Sequence, residues 1–179
     1  VEIYLPEYGR WRLGSEIPSA RSGHSSVVIA GELILLSGGE DESGVSAMSY
    51  LYDPITDIWK ESSPLNEART GHGSVVLHDG RVLVVGGRVS EIPTVSTEIY
   101  SLGDSEPWNH SGELTEPRWG HTTTLLQDGS VLATGGRLNG ESLGSAELFD
   151  PITEKWNPIA PMLMPRWGHT ATRMLSGKI

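Results

Sequence analysis

The chain has no cysteine among its 179 residues. A disulfide, a thiolate nucleophile and a cysteine-ligated metal are therefore excluded, while the redox compartment stays open. Phenylalanine occurs once, and lysine is scarce, since ten of the 13 basic residues are arginine. No apolar run approaches the roughly 18 residues that a membrane span needs. The richest, Val27 to Leu36, is interrupted by Gly31 and Glu32. Basic charge as a whole is outnumbered, with 13 basic against 23 acidic side chains and a net charge of −10. That field opposes duplex nucleic acid, whose binding requires a basic face that releases counterions. The sequence opens at Val1 with neither Met nor a signal peptide and reads as a processed or excerpted chain.

What is abundant is turn chemistry, with 22 glycines and 11 prolines. This balance suits many short strands joined by turns better than packed helices. Those strands repeat. Trp stands at 11, 59, 108 and 156, in steps of 48, 49 and 48. The tetrad Arg-x-Gly-His stands at Arg21–His24, Arg69–His72, Arg118–His121 and Arg166–His169, with the same three steps. A glycine pair follows at Gly38-Gly39, Gly86-Gly87 and Gly135-Gly136. Three independent markers in one register define a structural repeat.

Each unit reads as four short strands. An apolar stretch follows the His, and Asp79-Gly80 or Asp128-Gly129 then supplies a hairpin turn. A second strand such as Val82–Val85 ends at the glycine pair. The third closes on Tyr52-Asp53-Pro54, Tyr100 or Phe149-Asp150-Pro151, and the fourth carries the Trp. Four antiparallel strands cannot bury both faces alone, but units packed face to face around an axis can, which makes a β-propeller. Tetrad, glycine pair, Tyr-Asp-Pro and Trp at this spacing resemble the kelch family over essentially the whole chain. The third unit departs from the pattern, because Tyr100 is followed by Ser-Leu-Gly-Asp.

The expectation is an all-β, kelch-type β-propeller domain over 1–179, with three complete repeats and two partial ones. Residues 1–20 form the second half of a repeat. Repeats 21–68, 69–117 and 118–165 are complete, and 166–179 supply the first strand of a further one. Three closures remain open: a four-bladed ring, a homodimer completing a larger ring, or an excerpt of a longer propeller, which is favoured.

Strand direction separates two faces. The tetrads, the segments after the glycine pairs and the fourth-strand exits share one, and the Asp-Gly and Asp-Pro turns share the other. The first has the longer loops, where binding residues usually sit, and the kelch resemblance implies a ligand-binding role for it. Six arginines fall there: Arg21, Arg69, Arg118 and Arg166 from the tetrads, with Arg88 and Arg137 after glycine pairs. Guanidinium groups suit carboxylates through bidentate hydrogen bonds. The bland alternative for the tetrad arginines is bonding to a neighbouring blade's backbone, and for these four it is the weightier reading. Trp119 and Trp167 replace Ser22 and Thr70 of the other tetrads and suit stacking on a sugar, although packing between blades competes.

No catalytic constellation, phosphate loop or zinc motif stands out, and neither a metal nor a cofactor is expected. The four tetrad histidines are explained by the repeat and read as structural. Kelch-like copper-radical oxidases need a Cys-linked Tyr, which a cysteine-free chain cannot supply, and the Asp-box turns of sialidase propellers are absent. The leading function is therefore a scaffold recognising an acidic protein or peptide at Arg21, Arg69, Arg88, Arg118, Trp119, Arg137, Arg166 and Trp167. A carbohydrate-binding propeller using Trp119 and Trp167 is second, and a kelch-type enzyme acting on a sugar acid is third. Asn109-His-Ser111 fits an N-glycosylation acceptor and tilts the expected location slightly toward secretion.

Overall fold

A computed structural model describes residues 1–179. In chain order the strands are β1 (Glu2–Leu5), β2 (Arg10–Leu13), β3 (Ser25–Val28), β4 (Ile34–Ser37), β5 (Glu40–Asp41), β6 (Gly44–Val45), β7 (Ser49–Asp53) and β8 (Ile58–Ser62). There follow β9 (Gly73–Val76), β10 (Val82–Val85), β11 (Arg88–Val89), β12 (Ile92–Pro93), β13 (Thr97–Tyr100) and β14 (Trp108–His110). The last are β15 (Thr122–Leu125), β16 (Val131–Thr134), β17 (Arg137–Leu138), β18 (Glu141–Ser142), β19 (Ala146–Asp150) and β20 (Lys155–Ile159). Three antiparallel sheets result, ordered β3-β4-β7-β8, β9-β10-β13-β14 and β15-β16-β19-β20. These are the three complete blades.

The turns follow their chemistry. Gly80 takes φ +87°, a backbone region that a side chain disfavours. The Asp79 carboxylate accepts the Arg81 amide at 3.0 Å. Asp53 closes the outer turn of the first blade by accepting Ile55 N and Thr56 Oγ1, both at 2.8 Å. Asp150 repeats this with Ile152 N and Thr153 Oγ1, both at 2.9 Å. Stabilisation of the ionised form by these hydrogen bonds lowers the pKa of both aspartates.

The core lies between blades rather than within one sheet. Ile29 and Leu35 of the first blade pack on Val82, Val84, Tyr100 and Trp108 of the second. Leu77, Leu83 and Val85 of the second pack on Val131, Ala133, Phe149 and Trp156 of the third. Burying each such side chain stabilises by roughly 1.5–3 kcal/mol. The Trp of each blade stacks on its third-strand aromatic, at 4.7 Å for Tyr52–Trp59, 4.9 Å for Tyr100–Trp108 and 5.1 Å for Phe149–Trp156. Trp108 Nε1 also reaches back to Ser63 O of the preceding blade at 2.9 Å.

Blades approach closely at the glycine pairs, and this is why glycine stands there. Gly39 N donates to Arg69 O at 2.8 Å and Gly87 N to Arg118 O at 2.9 Å. A Cβ on Gly86, whose φ is +56°, would sit 2.6 Å from Arg118 O. Nearer the axis the tetrad glycines form a chain of bonds: Gly71 N to Gly23 O, Gly120 N to Gly71 O and Gly168 N to Gly120 O, each 2.8 Å.

The ends are partial blades. β1 and β2 form a hairpin that keeps the aromatic pair as Tyr4–Trp11 at 5.2 Å. Residues 166–179 form no strand, yet they keep the turn of the other repeats: Met174 N donates to Lys178 O at 2.8 Å and Gly177 N to Met174 O at 2.9 Å. No hydrogen bond joins residues 160–179 to residues 1–20.

Candidate functional site

The tetrad face is built by short antiparallel bridges. The second tetrad residue pairs with the residue after the glycine pair, as Ser22 with Glu40, Thr70 with Arg88 and Trp119 with Arg137. The segments read from sequence as loops after the glycine pairs instead fold into two-residue hairpins, β5-β6, β11-β12 and β17-β18. These hairpins set six variable side chains next to the bonded tetrad glycines.

Four of the eight sequence-selected residues come together there. Arg88 lies 5.2 Å over the Trp119 ring, and Arg137 lies 5.9 Å from the Trp119 ring and 4.9 Å from the Trp167 ring. Trp119 and Trp167 are 5.5 Å apart, tilted by 51°. A cavity of about 170 Å³ opens among Arg88, Glu91, Trp119, Arg137, Asn139 and Gly140. Each cation–π contact contributes about 0.5–2 kcal/mol and fixes the guanidinium plane against an indole.

The two arginines differ in electrostatics. Arg88 Nη1 pairs with Glu91 at 2.8 Å and its Nη2 with Glu40 at 3.0 Å. Arg137 has neither partner. Its hairpin carries Gly140 where β11-β12 carries Glu91, and the preceding blade offers Arg88 where Arg88 itself meets Glu40. The recorded bond of Arg137 is from Nε to Gly140 O at 3.1 Å.

The remaining sequence-selected arginines are elsewhere, and two selections are corrected outright. Arg69 and Arg118 have 0 % exposure and turn into their own blades. Arg69 Nη1 donates to Gly86 O at 2.9 Å and Ser96 O at 3.0 Å, and Nη2 pairs with Glu98 at 2.7 Å. Arg118 repeats this with Gly135 O at 2.7 Å and Glu147 at 2.9 Å. A buried charge persists only when paired and hydrogen-bonded, and both arginines are fully occupied in that way. The carboxylates also hold the incoming connection: Glu98 accepts Asn66 N at 2.7 Å, and Glu147 accepts Thr115 N at 2.7 Å. Arg21 follows the same inward path, bonding Gly38 O at 2.9 Å. Tyr50 stands where the other blades have Glu98 and Glu147, and Arg21 lies 5.0 Å over its ring. Arg166 stays exposed in the tail, its Nε bonded to Met164 O at 3.2 Å.

Glu98 and Glu147 escaped the sequence reading, although each stands 29 residues after its arginine. That repeated spacing was the available signal. The tetrad histidines line the blade interfaces, where burial lowers the pKa of His72 and of His121 to about 3, with the adjacent Arg69 and Arg118 charges acting in the same direction.

Antiparallel four-stranded blades, joined tetrad to glycine pair around an axis and presenting hairpins on one face, define a kelch-type β-propeller. The pattern of the KLHDC2/KLHL20/DRC7 Kelch-repeats domain matches residues 7–179, and the chain belongs to that family. A search of curated proteins gives no match. Among solved structures, the one described as "Structure of YjhT" superposes with a TM-score of 0.79 at 15 % identity, over 92 % of this chain. This chain spans 62 % of that one, and the likeness is one of fold. Kelch domains commonly bind proteins, and no helix here is long and apolar enough to cross a membrane.

Proposed function

We propose that the tetrad face binds an acidic segment of a protein or peptide, with Arg137 as the anchoring cation. One observation carries this reading: Arg137 lacks both carboxylates that its repeat-mate Arg88 holds at 2.8 and 3.0 Å. The fold already uses carboxylates to satisfy this position one blade earlier. A carboxylate from a partner fits the guanidinium in the same bidentate manner, and the indoles of Trp119 and Trp167 hold its plane for that purpose. Trp167, at 46 % exposure, offers an apolar surface to the residue beside the acid. A sugar-stacking platform is less well served, because guanidinium groups already lie over Trp119.

The test is a titration of a fluorescein-labelled hexaglutamate peptide, with hexalysine as the comparison. Saturable binding of hexaglutamate is expected, weakened at least about tenfold by Arg137→Glu and unchanged by Lys60→Glu on an outer strand. Equal affinity for both peptides, or indifference to Arg137→Glu, refutes the reading.

A further inference from the structure

We infer that this chain pairs with a second copy of itself, residues 166–179 of each copy filling a groove beside the N-terminal hairpin of the other. The groove measures about 440 Å³ and lies between that hairpin and the first blade, lined chiefly by Ile3, Tyr4, Ile34, Leu36, Tyr52 and Trp59. The internal repeats show what covers such a surface. One blade further on, Val82, Val84 and Tyr100 occupy the positions of Ile34, Leu36 and Tyr52. They are buried under Ile29, Leu35 and the flanking Val27, all from the first two strands of the preceding blade. The next interface repeats the arrangement, with Leu77 and Leu83 lying against Val131, Ala133 and Phe149.

The hairpin has only the third and fourth strands of its blade, so nothing of this kind lies on its groove. Tyr4 is 49 % and Trp11 65 % exposed, whereas their repeat-mates Tyr100 and Trp108 are 3 % and 5 % exposed. The segment that matches the missing first strand is present at the other end of the arc. Counting from the tetrad histidines, Met174 holds the position of Ile29 and Leu77, and Thr172 that of Val27 and Val75. Its turn is already formed through Met174 and Lys178. Met174 itself is 52 % exposed, having no groove to enter within its own chain.

The occupant is thus specified by register as well as by apolarity. Charge agrees, because residues 166–179 carry Arg166, Arg173 and Lys178 with no acid, while Glu2 lines the groove. Groove and tail lie on different ends of one chain, so the contact is head to tail, and two copies close it reciprocally.

Sedimentation equilibrium of the chain tests the pairing. A mass of two 19.4 kDa chains is expected. Tyr4→Lys in the groove and Met174→Asp in the tail should each weaken association at least about tenfold. Both side chains are about half exposed in the single chain, so folding should survive, with circular dichroism as the check. Mixing the two variants restores one intact groove-and-tail contact and should recover a heterodimer. A monomeric wild-type chain, or an assembly that neither substitution weakens, overturns the inference.

Discussion

Removing Glu147 should cost far more than removing an ordinary surface carboxylate, because it strands a charge. Arg118 has 0 % exposure, and its Nη2 meets Glu147 Oε1 at 2.9 Å. In Glu147→Leu the guanidinium keeps its bonds to Gly135 O and Ser145 O but loses its buried counter-charge. Glu116, on the part-exposed connection with its carboxylate 3.6 Å from Nη2, compensates only in part. Breaking a buried pair from one side typically costs about 3–5 kcal/mol. For a chain of this size each kcal/mol shifts the melting temperature by about 2–4 °C, so the expected fall is about 6–20 °C. The double variant Arg118→Met with Glu147→Leu should recover part of this loss, since no charge is left unpaired. Recovery stays incomplete, because Thr115 N, now bonded to Glu147 at 2.7 Å, and Gly135 O lose their partners. Urea unfolding followed by tryptophan fluorescence measures all four corners of this cycle. A loss below about 1 kcal/mol for Glu147→Leu would refute the reasoning, because an unpaired buried guanidinium cannot be that cheap. The same data bear on function: Arg118 should influence ligand binding only through stability.

Acid should loosen the blade interfaces. His72 and His121 are held neutral to about pH 3 in the folded chain, against an unfolded value near 6.5. The unfolded state therefore binds more protons between these limits, and stability is lost as pH falls from 6.5 toward 3, by about 2–3 kcal/mol per histidine at pH 4.5. Urea midpoints from pH 7 to 4.5 should drop, and His72→Gln with His121→Gln should flatten the slope; an unchanged slope would show that other groups control it. A pair of glycines separates strain from crowding. Gly9 (φ +58°) has nothing within 4 Å of an added Cβ, whereas Gly86 (φ +56°) meets Arg118 O at 2.6 Å. Gly9→Ala should cost about 1–2 kcal/mol, and Gly86→Ala about 1–3 kcal/mol more; equal midpoints would remove the crowding argument.

Blade count, strand order and the two faces were legible because their markers are local: aromatics, glycine pairs and Asp-Gly turns repeat in one register. What lay hidden was side-chain direction. Topology puts Arg69 and Arg118 at the tetrad face but does not say that they turn inward, since that depends on Glu98 and Glu147 29 residues away on another strand. The hairpins β11-β12 and β17-β18 were read as loops because two paired residues leave no alternating pattern. Arg88 and Arg137 look equivalent in sequence. Only the placement of Glu40 and Glu91 reveals that one is neutralised and the other is not.

The bonds that run from Gly23 through Gly71 and Gly120 to Gly168 all point the same way, each amide donating to the blade before it. Their peptide dipoles circulate about the axis rather than along it, so the backbone hub lends the mouth of the propeller no systematic polarity of its own. Nor does the hub depend on its neighbours' identity, since the bond measures 2.8 Å whether the residue before the donor glycine is Thr70, Trp119 or Trp167. Structural duty is thereby confined to main-chain atoms. The adjoining side chains are free to rewrite charge and shape at the mouth while the blades stay hung on the same hub.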